Sequence, residues 1–506
     1  MIIFSSERQP AGTERLLAAA AMIGATINWI ALWRADLVLS HYDAKAHLVV
    51  ARRIIDNITP GWQQIGGVWL PLPHLLNALP TQIDALYRTG AFASVLSIAC
   101  FGILIYAASR HVTLATGSRL AACVAAALLM LNPNLLYLHA TPMTEPLLLA
   151  ITFLALLWLA EWVVENRDDV PAPLGMALFA ATWTRYEAWP VIAVALPVSL
   201  YACYRRGASR TAVVGRAWRL ALWPAAAVGL FLLISRTTTG MWFVASGFYE
   251  SDVNYDGQLT KSLLAVWWGT HRLGTRASEL VALVGVALLI VKASSTRTNA
   301  TLLIPLTLVA FATLPVYAFY EGHPFRIRYM IPAAAACAVL SGMAVGCLRR
   351  RAQVIVASLL VGITLLQSPP WWRGAPMLAE SLWDRSASEA RHHVTSCLSA
   401  GYRGEKILAS MGSLAHYMQE LSHEGFTVAD FVHEGNGVIW QFAMQTSPRF
   451  HAGWMLVEEQ SEGGDILARR IQQDATFAQG MTRICDGGGV ALYKRESQKR
   501  LLTFAF

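Results

Sequence analysis

Charged residues are scarce in this chain. Asp, Glu, Lys and Arg make up 14% of its 506 residues, against 55% hydrophobic residues, whereas a soluble protein is usually about a quarter charged. That shortage excludes an ordinary water-soluble protein. The seven cysteines show no metal-ligand spacing, so no zinc module is expected. Five of them lie in or beside apolar stretches, where Cys acts as a small apolar residue. A phosphate-binding loop is missing as well: no helix-opening Lys-Ser/Thr follows Gly487–Gly489, which reads as a turn. Internal repeats, low-complexity segments and DNA-binding motifs are absent. The net charge of +8 therefore does not imply a nucleic-acid partner. Much of it sits in two short loops, with Arg205, Arg206, Arg210, Arg216 and Arg219 in one and Arg349, Arg350 and Arg351 in the other. Such clusters are topology signals in a multispanning protein.

What the chain has in quantity is apolar runs. They recur from Leu16 to Leu366 at roughly 15–23 residues each, about the length that crosses a hydrocarbon core. The expected fold is an α-helical polytopic membrane protein of about 11 transmembrane helices, centred near residues 25, 97, 125, 154, 178, 196, 227, 286, 309, 338 and 359. Leu16 to Trp33 is read as a retained first span, since no small-residue cleavage site follows it. After Ser368 the sequence becomes charged and mixed. The expected division is thus a membrane domain over 1–368 and a small C-terminal α/β soluble domain over 369–506.

In that tail "KILAS" and "AGWMLVEE" read as buried strands, "SLAHYMQELSHEG" and "GDILARRIQQD" as helices, and "ICDGGGVALYKR" as a last strand entered through a Gly-rich turn. With a cytoplasmic N-terminus both Arg clusters fall inside, and an odd span count puts the tail outside. Cys397 and Cys485 could pair there if that space is oxidising. The tail's His433, Glu434 and Asn436 are read as surface residues.

Polar chemistry is concentrated in the outer loops. The stretch "SHYDAKAHLVVARRIIDNITPGWQQIGGVWLPLPH", Ser40–His74, opens with a short helix expected from Asp43 to Asn57 and lying in the interface plane. Leu48, Val49, Ala51, Ile54 and Ile55 form its apolar side, and Lys45, Arg52, Arg53 and Asp56 its polar side. Asp43 stands at its start, where the helix dipole stabilises a carboxylate, and His47 follows one turn later on the same face. The Gly- and Pro-rich remainder, ending at His74, returns toward the bilayer. Such a backbone is tolerated at membrane depth when buried in protein or lining a cavity. In "HATPMTEPLLL" Glu145 sits at the positive end of the next span. In "TWTRYEAWP" Arg185 and Glu187 lie between two spans with almost no loop, and charges so placed tend to be paired or functional. Being two apart, they need not pair with each other. Trp183, Tyr186 and Trp189 are read as belt aromatics. In "EGHPFRIRYMIP" Arg326 and Arg328, with His323 and Tyr329, enter a span from outside, and a guanidinium fork suits phosphate. The long outer loop Arg236–Arg276 is read as a mobile lid or a carbohydrate platform.

An acidic residue soon after the first span, an interfacial helix behind it, and "TPGWQQIGGVWLPLPH" resemble the polyprenyl-phosphate-sugar-dependent glycosyltransferases of the GT-C superfamily. The nearest in pattern are the protein O-mannosyltransferase and lipid A aminoarabinose transferase types. The resemblance covers most of the membrane domain and is weak in the tail. It implies Asp43 as catalytic base and Glu145 as the second outer-loop acid. It also associates "RIRYM" with the donor phosphate, Arg328 being favoured over Arg326. Many relatives carry two adjacent acids, whereas here Ala44 and Lys45 follow Asp43. No metal or other cofactor is therefore expected, and Lys45 is a candidate for fixed positive charge instead.

The implied enzyme is a hexosyl- or pentosyltransferase in a bacterial inner membrane, with its C-terminal domain periplasmic. It would move a sugar from a polyprenyl-phosphate-linked donor to a lipid, glycan or protein acceptor. Asp43 would take the acceptor's proton in an inverting displacement, and Lys45, Arg185, Arg326, Arg328 and Tyr329 would hold the phosphate. His47, His74, Glu187 and His323 would line the cavity. The alternative is a secondary transporter or lipid flippase, which also has many Pro-broken spans and intramembrane charges. No repeat of hydropathy between halves supports it.

Overall fold

The computed structural model describes residues 11–244, 251–461 and 464–496. Residues 245–250 of the expected lid, and the N-terminal polar lead up to residue 10, lie outside them. Among the described residues nine helical segments are long and apolar enough to cross a membrane, from Gly12–Arg34 to Arg350–Gln367. Two shorter apolar helices, Arg119–Met130 and Ala172–Thr182, fall where spans were expected near residues 125 and 178.

Local chemistry sets the helix ends. Ser118 accepts from the Ala121 N–H and starts the Arg119–Met130 helix. Thr275 and Ser278 form a reciprocal capping box at Arg276–Ser295. Pro146 and Pro332 sit in first turns, where a missing N–H costs nothing. Small residues decide which helices are interior. Ile327–Gly346 is Ala-rich and 83% buried, while Arg350–Gln367 is 17% buried. A Cβ on Gly285 would come within 2.5 Å of the Leu340 carbonyl oxygen, so the Arg276–Ser295 helix approaches Ile331–Gly346 closely only because that position is glycine.

By contacts the chain forms two compact units. The first comprises Met1–Leu39, Gly67–Leu76 and Gly90–Ser381 and holds all of the candidate spans. The second comprises Ser40–Gly66, Asn77–Thr89 and Leu382–Phe506, so it draws in two early segments that no single break in the chain would give it. Its core is a five-stranded sheet of β1 (Ile407–Ala409), β2 (Phe431–Val432), β3 (Trp454–Glu458), β4 (Met481–Gly487) and β5 (Val490–Arg495), in the order β2-β1-β3-β5-β4. β1 runs parallel to β2 and β3, and β5 is antiparallel to β3 and β4. Leu408, Met455, Val457, Trp440, Leu467 and Phe477 fill one face, with Ile58 from the early segment packed against them.

The expected strands and helices of the tail are present. The Gly-rich turn, however, joins two strands rather than opening one, with Gly488 and Gly489 at φ 59° and 83°. Cys397 and Cys485 form a disulfide between the Arg385–Gly401 helix and β4.

Candidate functional site

In the first unit the acidic and basic candidates of two interhelical segments come together. Glu145 is the first residue of the Glu145–Glu165 helix, and its carboxylate is fully buried. Arg185 Nη1 lies 3.2 Å from Glu145 Oε1 and donates to Thr144 Oγ1 at 2.8 Å. Arg185 Nη2 donates to Glu187 Oε1 at 2.6 Å, and Nε donates to the same carboxylate at 3.1 Å. Arg185 and Glu187 therefore do pair, because the turn between two helices brings positions two apart onto one side. Burial alone would weaken the proton's hold on Arg185. Glu145 and Glu187 more than offset that, against an opposing effect of Arg328, and its pKa lies above the ordinary value. The Arg328 effect shows that the second cationic motif is an electrostatic neighbour of this triad.

Arg328 is buried in the Ile327–Met330 turn while Arg326 is half-buried just before it. The Arg328 guanidinium lies 5.7 Å from the Tyr329 ring centroid. The Tyr329 hydroxyl is 3.2 Å from His323 Nε2, and His323 Nδ1 donates to the Pro324 carbonyl at 2.8 Å. Burial, Arg326 and Arg328 hold the His323 pKa below its ordinary value. Burial first, and the nearby cations after it, thus disfavour the protonated imidazole.

The segment Gly67–Leu76 is strapped to the Arg185 turn. The Leu72 N–H donates to the Trp183 carbonyl, and the Tyr186 hydroxyl donates to the Val68 carbonyl at 2.8 Å. Trp183 Nε1 donates to the Ala227 carbonyl at 2.8 Å. Trp183, Tyr186 and Trp189 form an internal cluster with Leu70 and Phe231. They are packing residues rather than belt aromatics. A Cβ on Gly67 would sit 2.9 Å from Ser235 Oγ, so this glycine permits close packing rather than loosening the chain. His74 is buried, stacked on Trp69 at 5.7 Å, with Nδ1 donating to the Leu70 carbonyl.

The expected lid is only partly a loop. Leu259–Leu273 is helical, and residues 251–258 are tied down by hydrogen bonds from the Asp252 N–H to the Gly322 carbonyl and from the Gly257 N–H to the Tyr320 carbonyl.

In the second unit Asp43 lies in the first turn of the Tyr42–Arg52 helix, which His41 caps by accepting from the Asp43 N–H at 3.1 Å. Residues 43–52 are all buried, so the helix has no water-facing polar side. Lys45 pairs with Glu420 at 2.7 Å, engaging the ammonium for which a phosphate was expected. Arg52 pairs with Asp56 and Asp84, each at 2.7 Å, and stacks over Tyr87. His47, one turn after Asp43, is also buried.

The residues that sequence reasoning passed over are the partners of Lys45. Glu420 also accepts from Arg391 and Ser388, and Arg391 forks onto Asp384. Burial would raise the Glu420 pKa, but Lys45 and Arg391 hold it down at about 2. The available signal was spacing: Asp384, Ser388 and Arg391 recur every three to four residues on one helical face. His433 and Asn436, read as surface residues, are buried in a network with Asn57, Gln64 and Thr59. That network pins the "TPGWQQIG" turn.

Among the described residues one group has metal-like geometry, His393 with Cys397 and Cys485. The disulfide uses both sulfurs and leaves a single imidazole, which does not make a metal site.

No family model and no curated protein matches this chain. Solved structures do. ArnT from Cupriavidus metallidurans bound to undecaprenyl phosphate superposes with a TM-score of 0.56 at 13% identity, over 94% of this chain and 97% of that one. The fold is that of ArnT. The apo form of ArnT gives a TM-score of 0.51 at 12% identity, over 93% and 98% of the two chains. The likeness to ArnT covers nearly the whole chain and extends to the fold, with its apolar helices and small C-terminal sheet.

Proposed function

We propose that this protein is a membrane glycosyltransferase that moves a sugar from a polyprenyl phosphate to an acceptor on the outer face of a bacterial inner membrane. The observation that carries the reading is the fold shared, nearly end to end, with a protein whose structure holds undecaprenyl phosphate. Arg328, Arg326 and Tyr329 supply what a lipid phosphate needs, a buried guanidinium fork beside a hydroxyl and a neutral imidazole. Glu145 and Glu187 hold Arg185 and leave the triad with one net negative charge, which suits a site where positive charge develops on a sugar ring.

Asp43 takes the proton of the acceptor hydroxyl as its oxygen attacks the anomeric carbon. The bond to the phosphate oxygen breaks with its electron pair, and the cations around the phosphate stabilise the leaving group. One such displacement inverts the anomeric centre. The tail's disulfide fits an oxidising, extracytoplasmic location, with the N-terminus cytoplasmic. The experiment is radiolabelled transfer from a panel of polyprenyl-phosphate sugars in proteoliposomes supplied with an envelope extract. Wild type is expected to transfer from one donor and Asp43→Asn to lose at least about 10²-fold. Transfer from no donor refutes the reading. Equal transfer by both proteins moves the base elsewhere, with Glu145 next to test.

A further inference from the structure

The Tyr42–Arg52 helix packs along the Met411–Leu421 helix, both within the second unit. Two contacts set its register. The Tyr42 and His416 rings meet edge-on at 6.4 Å, and Lys45 meets Glu420 at 2.7 Å. Tyr42 and Lys45 are three apart, and His416 and Glu420 four apart, so each helix presents one face to the other. At 3.6 residues per turn Asp43 points about 160° from Lys45, away from that contact. Glu420 is itself held rigidly. It accepts from Arg391 Nε at 3.1 Å, Arg391 Nη2 at 2.9 Å and Ser388 Oγ at 2.9 Å. Arg391 is anchored in turn by Asp384 at 2.6 Å, and its side chain is 2% exposed.

We infer that Glu420 is a positioning residue, which through Lys45 fixes the rotation of the Tyr42–Arg52 helix and so the direction of the Asp43 carboxylate. This rests on the reading of Asp43 as the base, and it gives the C-terminal domain a part in the chemistry. The clamp grips the back of the helix, and the carboxylate projects from its front. Releasing Lys45 frees the first turn of the helix to shift while Arg52 still holds its far end, and displacing a reacting group by about 1 Å costs about 10²-fold in rate.

The test uses the full-length protein in proteoliposomes with the donor on which wild type is active. Lys45→Met and Glu420→Gln are each expected to lower kcat by about 10²-fold while donor KM stays within about threefold. The double variant should lose no more than either single one, since both break one contact. Lys45→Arg and Glu420→Asp should return kcat to within about tenfold of wild type, which recovery of fold alone would not predict. If Lys45→Met does not accumulate folded, Lys45→Gln carries the same comparison.

A raised donor KM with unchanged kcat in Lys45→Met would overturn the inference and make Lys45 a phosphate ligand. Glu420→Gln with wild-type kcat would overturn it as well. These outcomes leave the glycosyltransferase reading standing, whereas a wild type inactive on every donor removes both.

Discussion

Replacing Arg185 with methionine separates an architectural role from a ligand-binding one. The guanidinium pairs with two carboxylates whose side chains are 0% and 5% exposed. Met fills much of the volume but leaves Glu145 and Glu187 facing each other without it. Breaking one buried pair by removing a partner costs about 3–5 kcal/mol, because the remaining charge stays desolvated. Here two charges are stranded, so the loss should lie at or above the upper end of that range. Arg185→Lys keeps the charge but not the fork that reaches Thr144, Glu145 and Glu187 at once, and should recover only part of the loss. Adding Glu187→Gln to Arg185→Met should recover more than half of it by removing one stranded charge. The assay is equilibrium unfolding in mixed micelles with a denaturing detergent, followed by tryptophan fluorescence. A loss below about 1 kcal/mol, the ordinary scale of a surface pair, would refute the reasoning and return Arg185 to the pool of phosphate ligands.

Three further outcomes follow from the same contacts. Arg328→Met should raise donor KM roughly tenfold to a hundredfold, from about 1.5–3 kcal/mol for a hydrogen bond to a charged group, and Arg326→Met less, as steady-state transfer kinetics will read. Replacing both Cys397 and Cys485 with serine opens a link of sequence separation 88. It should cost up to about 4–5 kcal/mol by chain entropy, seen in thermal unfolding and as lost mobility difference on reducing and non-reducing gels. The sheet unit's stability should fall between about pH 6 and 4.5, because burial and Arg53 hold the His433 pKa well below its ordinary value, while two other groups there largely offset each other. His416, pushed down to about 4 by burial and Arg391, loses stability as pH falls through that window. Asp465, pushed up to about 6 chiefly by burial, gains it over nearly the same range. Below about 4.5 Glu420 adds to the slope. Its folded pKa of about 2 lies under the ordinary 4.5, so its stabilisation is present above 4.5 and disappears as pH falls toward 2. Glu420→Gln should flatten that acid limb, and an unchanged limb would contradict the assignment.

The span pattern was readable because membrane crossing is a property of local composition. A run such as "ITFLALLWLA" admits few fates. Tail strands such as Trp454–Glu458 were readable for the same reason, being short continuous apolar runs. What stayed hidden is non-local. Nothing near Lys45 indicates a glutamate 375 positions later. A buried ion pair and a surface charge look alike in one dimension, which is why Arg52, Lys45, His433 and Asn436 were all misjudged in burial. β2 has two residues, too few to carry a period. The Arg185–Glu187 pair was missed because spacing rules assume a continuing helix, and these residues sit in a turn.

The threading of the second unit has a consequence for biosynthesis. Ser40–Gly66 and Asn77–Thr89 are made early, yet the remainder of their unit begins only at Leu382. At about 5–20 residues per second, the intervening three hundred or so residues take roughly 15–60 s to emerge. For that interval Ile58, Arg53 and Asn57 have no sheet, no Met411 and no His433 to meet. The early segments must wait in an unfinished state. A ribosome that stops short of the last strands therefore leaves behind a chain whose Ser40–Gly66 segment also lacks its partners, a natural handle for quality-control proteases.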